Sequence, residues 1–280
     1  MLNMQSSYKE TAINKIEIIE NLDNEPKIDW GVKAINAHKV WDKTKGKGVK
    51  VLVMDTGINV NHKDLKISSK HNLIERNDNV EDMNGHGTHV AGLITGRLTG
   101  VAPEAELHVV KVLTDSGEGQ MASVMDGITF AINYGMDVLC ISLGTQSNLP
   151  IPFQERIMQA YNAGITIVCA TGNNGFNDAN YPARMDEVIA VGGLDKELNI
   201  ATFSNGGHDV LAPAVEVLST YKDKKYARIT GTSMASPLVA GGIALLISHY
   251  RNQGKEISPR EIMDKIDGLD GIFDLTKLID

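Results

Sequence analysis

Three short segments carry side chains that could together break a covalent bond. Ser233 lies in residues 231–237 (GTSMASP), Asp55 opens the tripeptide Asp-Thr-Gly, and His86 lies in residues 84–92 (NGHGTHVAG). A serine hydroxyl is a poor nucleophile unless a base lies within hydrogen-bond distance and a further group orients that base. The three residues supply one candidate for each of these roles.

In their order along the chain, the three segments resemble the motifs of the subtilisin-like serine peptidases, the subtilases. The resemblance runs from Asp29 to near the C-terminus and so covers most of the chain. It implies that Ser233 attacks the peptide bond, that His86 takes and returns the proton, and that Asp55 fixes the tautomer of His86. An aspartic protease would need a second Asp-Thr-Gly or a shorter chain that dimerises, and the sequence has one copy.

The elements that must position these residues are predicted to be alternating strands and helices. Apolar runs ending near Asp55, Ser142 and Asn173 predict strands whose carboxyl ends meet at one edge of a parallel sheet. We therefore expect the α/β subtilisin-like three-layer fold, with a mostly parallel central sheet and helices on both faces. Residues 29–280 are expected to form the peptidase domain and residues 1–28 an N-terminal extension. The predicted strands are 49–54, 107–113, 137–142, 165–170 and 187–192, and the main predicted helices are 121–132, 153–162 and 233–250, the last with Pro237 in its first turn.

The resemblance also implies the residues that bind the substrate. Residues 170–175 (ATGNNG) are similar to the subtilase oxyanion segment, so Asn173 and the backbone N–H of Ser233 are the expected oxyanion donors. In this family the substrate binds as an added strand between two backbone segments. The matching residues are Gly117, Glu118 and Gly119 on one side and Ser142, Leu143 and Gly144 on the other, with Thr171 and Gly172 beside the oxyanion donor. A plain turn explains residues 117–119 nearly as well.

Composition and charge restrict the partners. The chain has 280 residues, enough for one large core, and its net charge of -8 argues against nucleic acid or an anionic membrane as partner. The first thirty residues lack the apolar stretch of a secretory signal, and the longest apolar run, residues 243–247, is too short to span a membrane. We expect a cytoplasmic protein in which Cys140 and Cys169 are buried thiols.

No metal or other cofactor is expected. His89 follows His86 in the same motif, but the His-x-x-His spacing lacks the glutamate of a zinc site, so a packed structural histidine is favoured. Extracellular subtilases carry a calcium loop where this chain has residues 93–100 (LITGRLTG), which contain no acidic or amide side chain. Asp64 matches one further calcium ligand, and one carboxylate is not a site. Asp195 and Asp209 resemble positions near a weaker cation site in relatives.

The predicted function is a serine endopeptidase that works through an acyl-enzyme. Asn180 matches the floor of the pocket for the side chain before the cut, and its amide favours a polar uncharged side chain such as Gln or Asn. That preference favours a cytoplasmic peptidase that removes a leader from a modified precursor, as in lanthipeptide maturation. The N-terminal extension has the size found both in intracellular subtilases and in lanthipeptide leader peptidases. A degradative intracellular subtilisin and a non-catalytic peptide-binding relative are the alternatives. Residues 2–6 (LNMQS) could occupy the pocket or be cut by the enzyme itself.

Overall fold

The computed structural model of the chain describes residues 7–10, 16–22 and 28–279. The α-helices are α1 (Trp30–Ala34), α2 (His86–Thr95), α3 (Met121–Asn133), α4 (Ile151–Asn162), α5 (Thr232–Asn252) and α6 (Pro259–Asp267). The strands are β1 (Ser7–Glu10), β2 (Ile16–Ile19), β3 (Lys50–Asp55), β4 (Ile67–Asn72), β5 (Glu106–Lys111), β6 (Glu118–Gln120), β7 (Val138–Ile141), β8 (Leu143–Gly144), β9 (Thr166–Ala170), β10 (Val188–Leu194), β11 (Val210–Pro213), β12 (Val217–Thr220) and β13 (Tyr226–Ile229).

Seven of these strands form one parallel sheet in the order β11-β10-β9-β7-β3-β5-β4. Helices cover both faces, because alternate side chains of each strand point to opposite sides. On β3, Val51 and Val53 pack with the helices α2 and α5, whereas Leu52 and Met54 pack with α3 and α4. The predicted three-layer α/β fold is therefore confirmed. The carboxyl ends of β3, β7 and β9 lie side by side, which brings the residues that follow them together.

Two strands of the N-terminal extension add to small antiparallel sheets. Strand β1 lies between β6 and β8, and β2 pairs with β13 at the edge of the sheet β12-β13-β2. Next to the β2–β13 pairing, Lys225 and Glu20 form an ion pair of 2.9 Å at the surface. The described part of the extension is thus paired with the rest of the molecule. Residues 2–6, considered above as a segment that occupies the pocket or is cut by the enzyme itself, lie outside the described residues.

Helix α5 is the central core helix. It is the one helix in the described residues that is long and apolar enough to cross a membrane, but 94% of its most apolar stretch is buried in the protein. The prediction that Pro237 lies in its first turn was wrong, because the helix begins at Thr232 and Pro237 falls in the second turn. Proline has no N–H to give to the carbonyl four residues earlier. That carbonyl, Ser233 O, accepts instead from Ser142 Oγ at 3.3 Å.

Candidate active site

Asp55 and His86 meet where β3 ends and α2 begins. His86 Nδ1 lies 2.8 Å from Asp55 Oδ1, and both side chains are fully buried. Because a carboxylate can only accept, Nδ1 carries the proton and Nε2 is left as the basic nitrogen. Gly87 allows this approach, since a Cβ there would clash with the Gly57 carbonyl. The pair is thus preset in the tautomer that a general base needs.

Asp82 connects β3 to α2 through hydrogen bonds, although it lies in none of the sequence motifs. Its buried carboxylate accepts from Thr56 Oγ1 at 2.8 Å and from the backbone N–H and hydroxyl of Thr88 at 2.8 and 2.6 Å. Thr56 follows Asp55, and Thr88 lies in the first turn of α2. One signal in the sequence could have revealed this role of Asp82. The N-cap residue of α2 is a glycine, which has no side chain to accept from the first N–H groups of the helix, and Asp82 is the carboxylate just before it.

Ser233 lies in the first turn of α5, at the same edge of the sheet. Its Oγ donates to the carbonyl of Ser142 at 3.1 Å, and Ser142 directly follows β7. Ser142 Oγ contacts Ser236 Oγ at 2.9 Å in the same helix. The start of α5 is therefore held against the carboxyl end of β7 through contacts that no local motif encodes.

Asn173 presents a hydrogen-bond donor beside Ser233. Its Oδ1 accepts from the backbone N–H and the hydroxyl of Thr232, both at 2.9 Å, so its Nδ2 is the end turned away from Thr232. This Nδ2 is buried and has no hydrogen-bond partner within the described residues. A buried amide N–H without a partner is costly unless a ligand completes it. Gly231 leaves the space, since a Cβ there would lie 3.0 Å from Asn173 Nδ2.

The two expected substrate-binding segments flank β1, and they are the two walls of the expected cleft. Lys9 is opposite both Glu118 on β6 and Gly144 on β8, and both pairings are antiparallel. Gly119 is required on one wall because a Cβ there would lie 2.7 Å from the carbonyl of Val112. Strand β1 thus has the position and hydrogen-bonding direction expected for an extended peptide substrate.

Asn180 lies between the second wall and the oxyanion segment. A Cβ on Gly144 would lie 3.2 Å from Asn180 Cβ, and a Cβ on Gly172 would lie 2.5 Å from Asn180 Nδ2. The backbone N–H of Asn180 donates to Thr171 O at 2.8 Å. An adjoining cavity of about 360 Å³ is lined by Gln146, Phe176, Asn177, Asp178, Ala179, Asn180 and Arg184.

The far end of α2 holds an ion pair. Asp64 Oδ1 accepts from Arg97 Nη2 at 3.0 Å and Asp64 Oδ2 from the Tyr226 hydroxyl at 2.7 Å. Burial, followed by the hydrogen bond to Asp64, raises the pKa of Tyr226. Within the described ranges, no group of three or more His, Cys, Asp or Glu residues is arranged to hold a metal ion. The carboxylates of Asp195 and Asp209 each accept hydrogen bonds from nearby backbone N–H groups.

His89 and the two cysteines are buried in the core. His89 Nε2 lies 3.1 Å from Val217 O and 3.0 Å from Ala227 O, and burial lowers its pKa to about 3. A neutral, fully packed ring is a structural group rather than a base. Cys140 and Cys169 are free thiols, and burial raises the pKa of both.

Known proteins are similar to this chain over most of its length. A family model described as "Subtilase family" matches residues 46–267. The "Major intracellular serine protease" of Bacillus subtilis (strain 168) is 40% identical over 278 residues, covering 90% of this chain and 87% of that protein. "Subtilisin DY" of Bacillus licheniformis is 42% identical over 235 residues, with 80% and 85% covered. The "Intracellular serine protease" of Paenibacillus polymyxa is 39% identical over 248 residues, with 82% and 76% covered.

Proposed function

Since the chain belongs to the subtilase family of serine peptidases, we propose that Ser233, His86 and Asp55 are the nucleophile, the general base and the orienting carboxylate of a serine endopeptidase. The observation that carries this assignment is the 2.8 Å hydrogen bond that leaves His86 Nε2 as the basic nitrogen, at the sheet edge where Ser233 lies. Asn173 Nδ2 and the backbone N–H of Ser233 are the proposed oxyanion donors.

The reaction follows from these positions. Ser233 Oγ bonds to the substrate's carbonyl carbon while its proton passes to His86, and the carbonyl electron pair becomes an oxyanion held by Asn173. Collapse of this intermediate breaks the C–N bond, and His86 gives its proton to the leaving amine. Water then gives a proton to His86 and attacks the ester, which releases the acid and restores Ser233.

The finer proposal concerns substrate choice. We propose a cytoplasmic processing peptidase that removes a leader from a modified precursor peptide, as in lanthipeptide maturation. Its support is Asn180, an amide on the pocket floor that an apolar side chain would leave without a partner, at a cost of about 1–3 kcal/mol. A peptide library with mass-spectrometric readout is the test, and we expect cutting concentrated after Gln or Asn.

A degradative intracellular peptidase is the second candidate. Two relatives named as intracellular serine proteases favour it, and their names also support a cytoplasmic location. The same library separates the two functions. Broad cutting after large apolar residues, with Gln disfavoured, would establish the degradative peptidase and reject leader removal.

We also infer that β1 competes with the substrate for the cleft. Its antiparallel pairing to both walls uses the backbone groups that a substrate strand would use. Proline is excluded from a central strand, so Lys9→Pro should raise kcat/KM about tenfold, the effect of losing about 1.4 kcal/mol of pairing. Lys9→Ala is the matched control, because it keeps the backbone N–H. An unchanged kcat/KM in the proline variant would show that β1 does not compete.

A further inference from the structure

The pocket floor is oriented by a residue outside the cleft, Asn205. Asn205 is fully buried, and its Oδ1 accepts from the backbone N–H groups of Asn174 and Phe176 at 3.0 and 3.1 Å. Its Nδ2 donates to the carbonyl of Thr171 at 3.0 Å. Backbone N–H groups only donate and carbonyls only accept, so a flipped amide would lose all three hydrogen bonds. The orientation of Asn205 is therefore set by the backbone.

Asn205 in turn sets the orientation of Asn180. Asn205 Nδ2 also donates to Asn180 Oδ1, over 3.4 Å. If the Asn180 amide were flipped, two NH₂ groups would face each other in a buried site and neither could accept. Asn180 Oδ1 therefore faces Asn205, and Asn180 Nδ2 lies near Gly172 and Gly144, where an added Cβ atom would be 2.5 and 3.9 Å from it.

The side of Asn180 left for the substrate is thus a donor. Within the described residues, the one hydrogen bond of the Asn180 side chain is the one that Oδ1 accepts, and Gly144 and Gly172 place no side chain beside Nδ2. Arg184, at the neighbouring cavity, is paired with Asp178 at 3.2 Å, so the local charges offset each other.

We propose that Asn205 is a specificity-determining positioning residue, which makes the pocket floor a hydrogen-bond donor that selects an accepting, uncharged side chain before the cut. Gln, through its Oε1, fits this chemistry. Met has a similar length and only a weak acceptor, and Lys brings a second donor. A carboxylate would bring a charge that no free cation of the adjoining cavity offsets, because Arg184 is already paired with Asp178. The inference rests on the proposed function, since it takes Asn180 as the floor of that pocket.

The test compares kcat/KM of the full-length enzyme for three peptides that differ only in the residue before the cut, namely Gln, Met or Lys. Occupation of the cleft by β1 affects the three peptides equally and cancels in their ratios. For the wild type we expect Gln to exceed Met and Lys about tenfold or more, as expected when a buried donor is otherwise left without a partner.

The decisive variant is Asn205→Asp. It is isosteric and keeps the oxygen that accepts from Asn174 and Phe176, but it loses the donor to Asn180 and to the carbonyl of Thr171. The Gln-to-Met ratio should fall to within about threefold of unity, mainly through a higher KM for the Gln peptide. An equal loss for all three peptides would make Asn205 merely structural and overturn the proposal.

Asn180→Asp provides a second measurement that leaves Asn205 in place. A carboxylate can only accept, so the preference should shift from Gln to Lys. Unchanged ratios in this variant would also overturn the proposal.

Failure of the proposed function looks different, because no peptide would then be cut in a Ser233-dependent way. A wild type that cuts the Met peptide as well as the Gln peptide would keep the peptidase and reject the donor floor.

Discussion

The two ends of helix α2 each lie beside a buried aspartate, and the two carboxylates are treated in opposite ways. Asp64, at the far end, is paired with a guanidinium and a phenol, so its charge is offset. Asp55, at the proposed catalytic end, accepts only from His86 Nδ1 and a backbone N–H, and its Oδ2 has no partner in the described chain. A cation beside Asp55 would compete with the imidazolium that forms during catalysis. The Asp55 carboxylate therefore keeps a charge that is available to stabilise the imidazolium during the reaction, whereas the charge of Asp64 is offset within the fold.

Asp55→Asn should abolish most of the activity without lowering the stability of the fold. We expect kcat to fall about 10⁴-fold, the loss typical of this change in a serine-protease triad, because an amide no longer fixes the tautomer of His86. The free energy of unfolding should not fall, since a buried charge without a cationic partner is removed. Activity assays and urea unfolding of the same preparation measure both. A loss of stability together with activity would mean that Asp55 also supports the fold.

Asn173→Ala tests the same end without changing a charge. The oxyanion exists only during the reaction, so kcat should fall about 10²- to 10³-fold with little change in KM, as for the corresponding donor of subtilisin. The Nδ2 atom that is removed has no partner within the described residues, so the effect on stability should come only from the contacts of Oδ1. A raised KM at constant kcat would assign Asn173 to substrate positioning instead.

His89, between the two ends, should make the fold sensitive to acid. Burial lowers its pKa to about 3, from 6.5 in the unfolded chain. Between these values the unfolded chain binds more protons, so stability is complete above pH 6.5 and is lost as the pH falls towards 3, by about 2 kcal/mol at pH 5. His62, His108 and His208, whose pKa values burial also lowers, act in the same direction.

The check is urea unfolding between pH 7 and pH 5. His89→Gln keeps an N–H donor for the two carbonyls and removes the titration, so its stability should vary less with pH than that of the wild type. An equal slope in both proteins would place the acid sensitivity elsewhere.

Arg97→Met tests the far end of α2. It leaves the Asp64 carboxylate buried with only Tyr226 as partner, and stability should fall by about 2 kcal/mol, less than for a fully buried pair because Arg97 is half-exposed. The kcat of the folded enzyme should not change. Adding Asp64→Asn should recover part of the loss in a double-mutant cycle. Additive losses would mean that the two side chains stabilise the fold independently.

The parts of this architecture that could be predicted from sequence are those encoded over short stretches. Apolar runs located β3, β7 and β9, and three motifs located Asp55, His86 and Ser233. The contacts that tune the site join distant residues. Asn205 is 25 positions from Asn180, and β2 pairs with a strand some 200 residues later. No local sequence pattern identifies such partners, because polar residues of these types are common in loops and edge strands whether or not they contact a distant residue.

The smallest expected effect is that of removing divalent ions. A calcium ion beside α2 would need the negative charge of Asp64, and that charge is already offset by Arg97. Activity and melting temperature should therefore be the same, within about 1 °C, with a chelator or with added calcium. If calcium raised the melting temperature of the wild type and that of Asp64→Asn equally, the ion would bind away from Asp64. Loss of that rise in Asp209→Asn, but not in Asp64→Asn, would then locate a weaker cation site near Asp209 and contradict the expectation that the enzyme needs no metal.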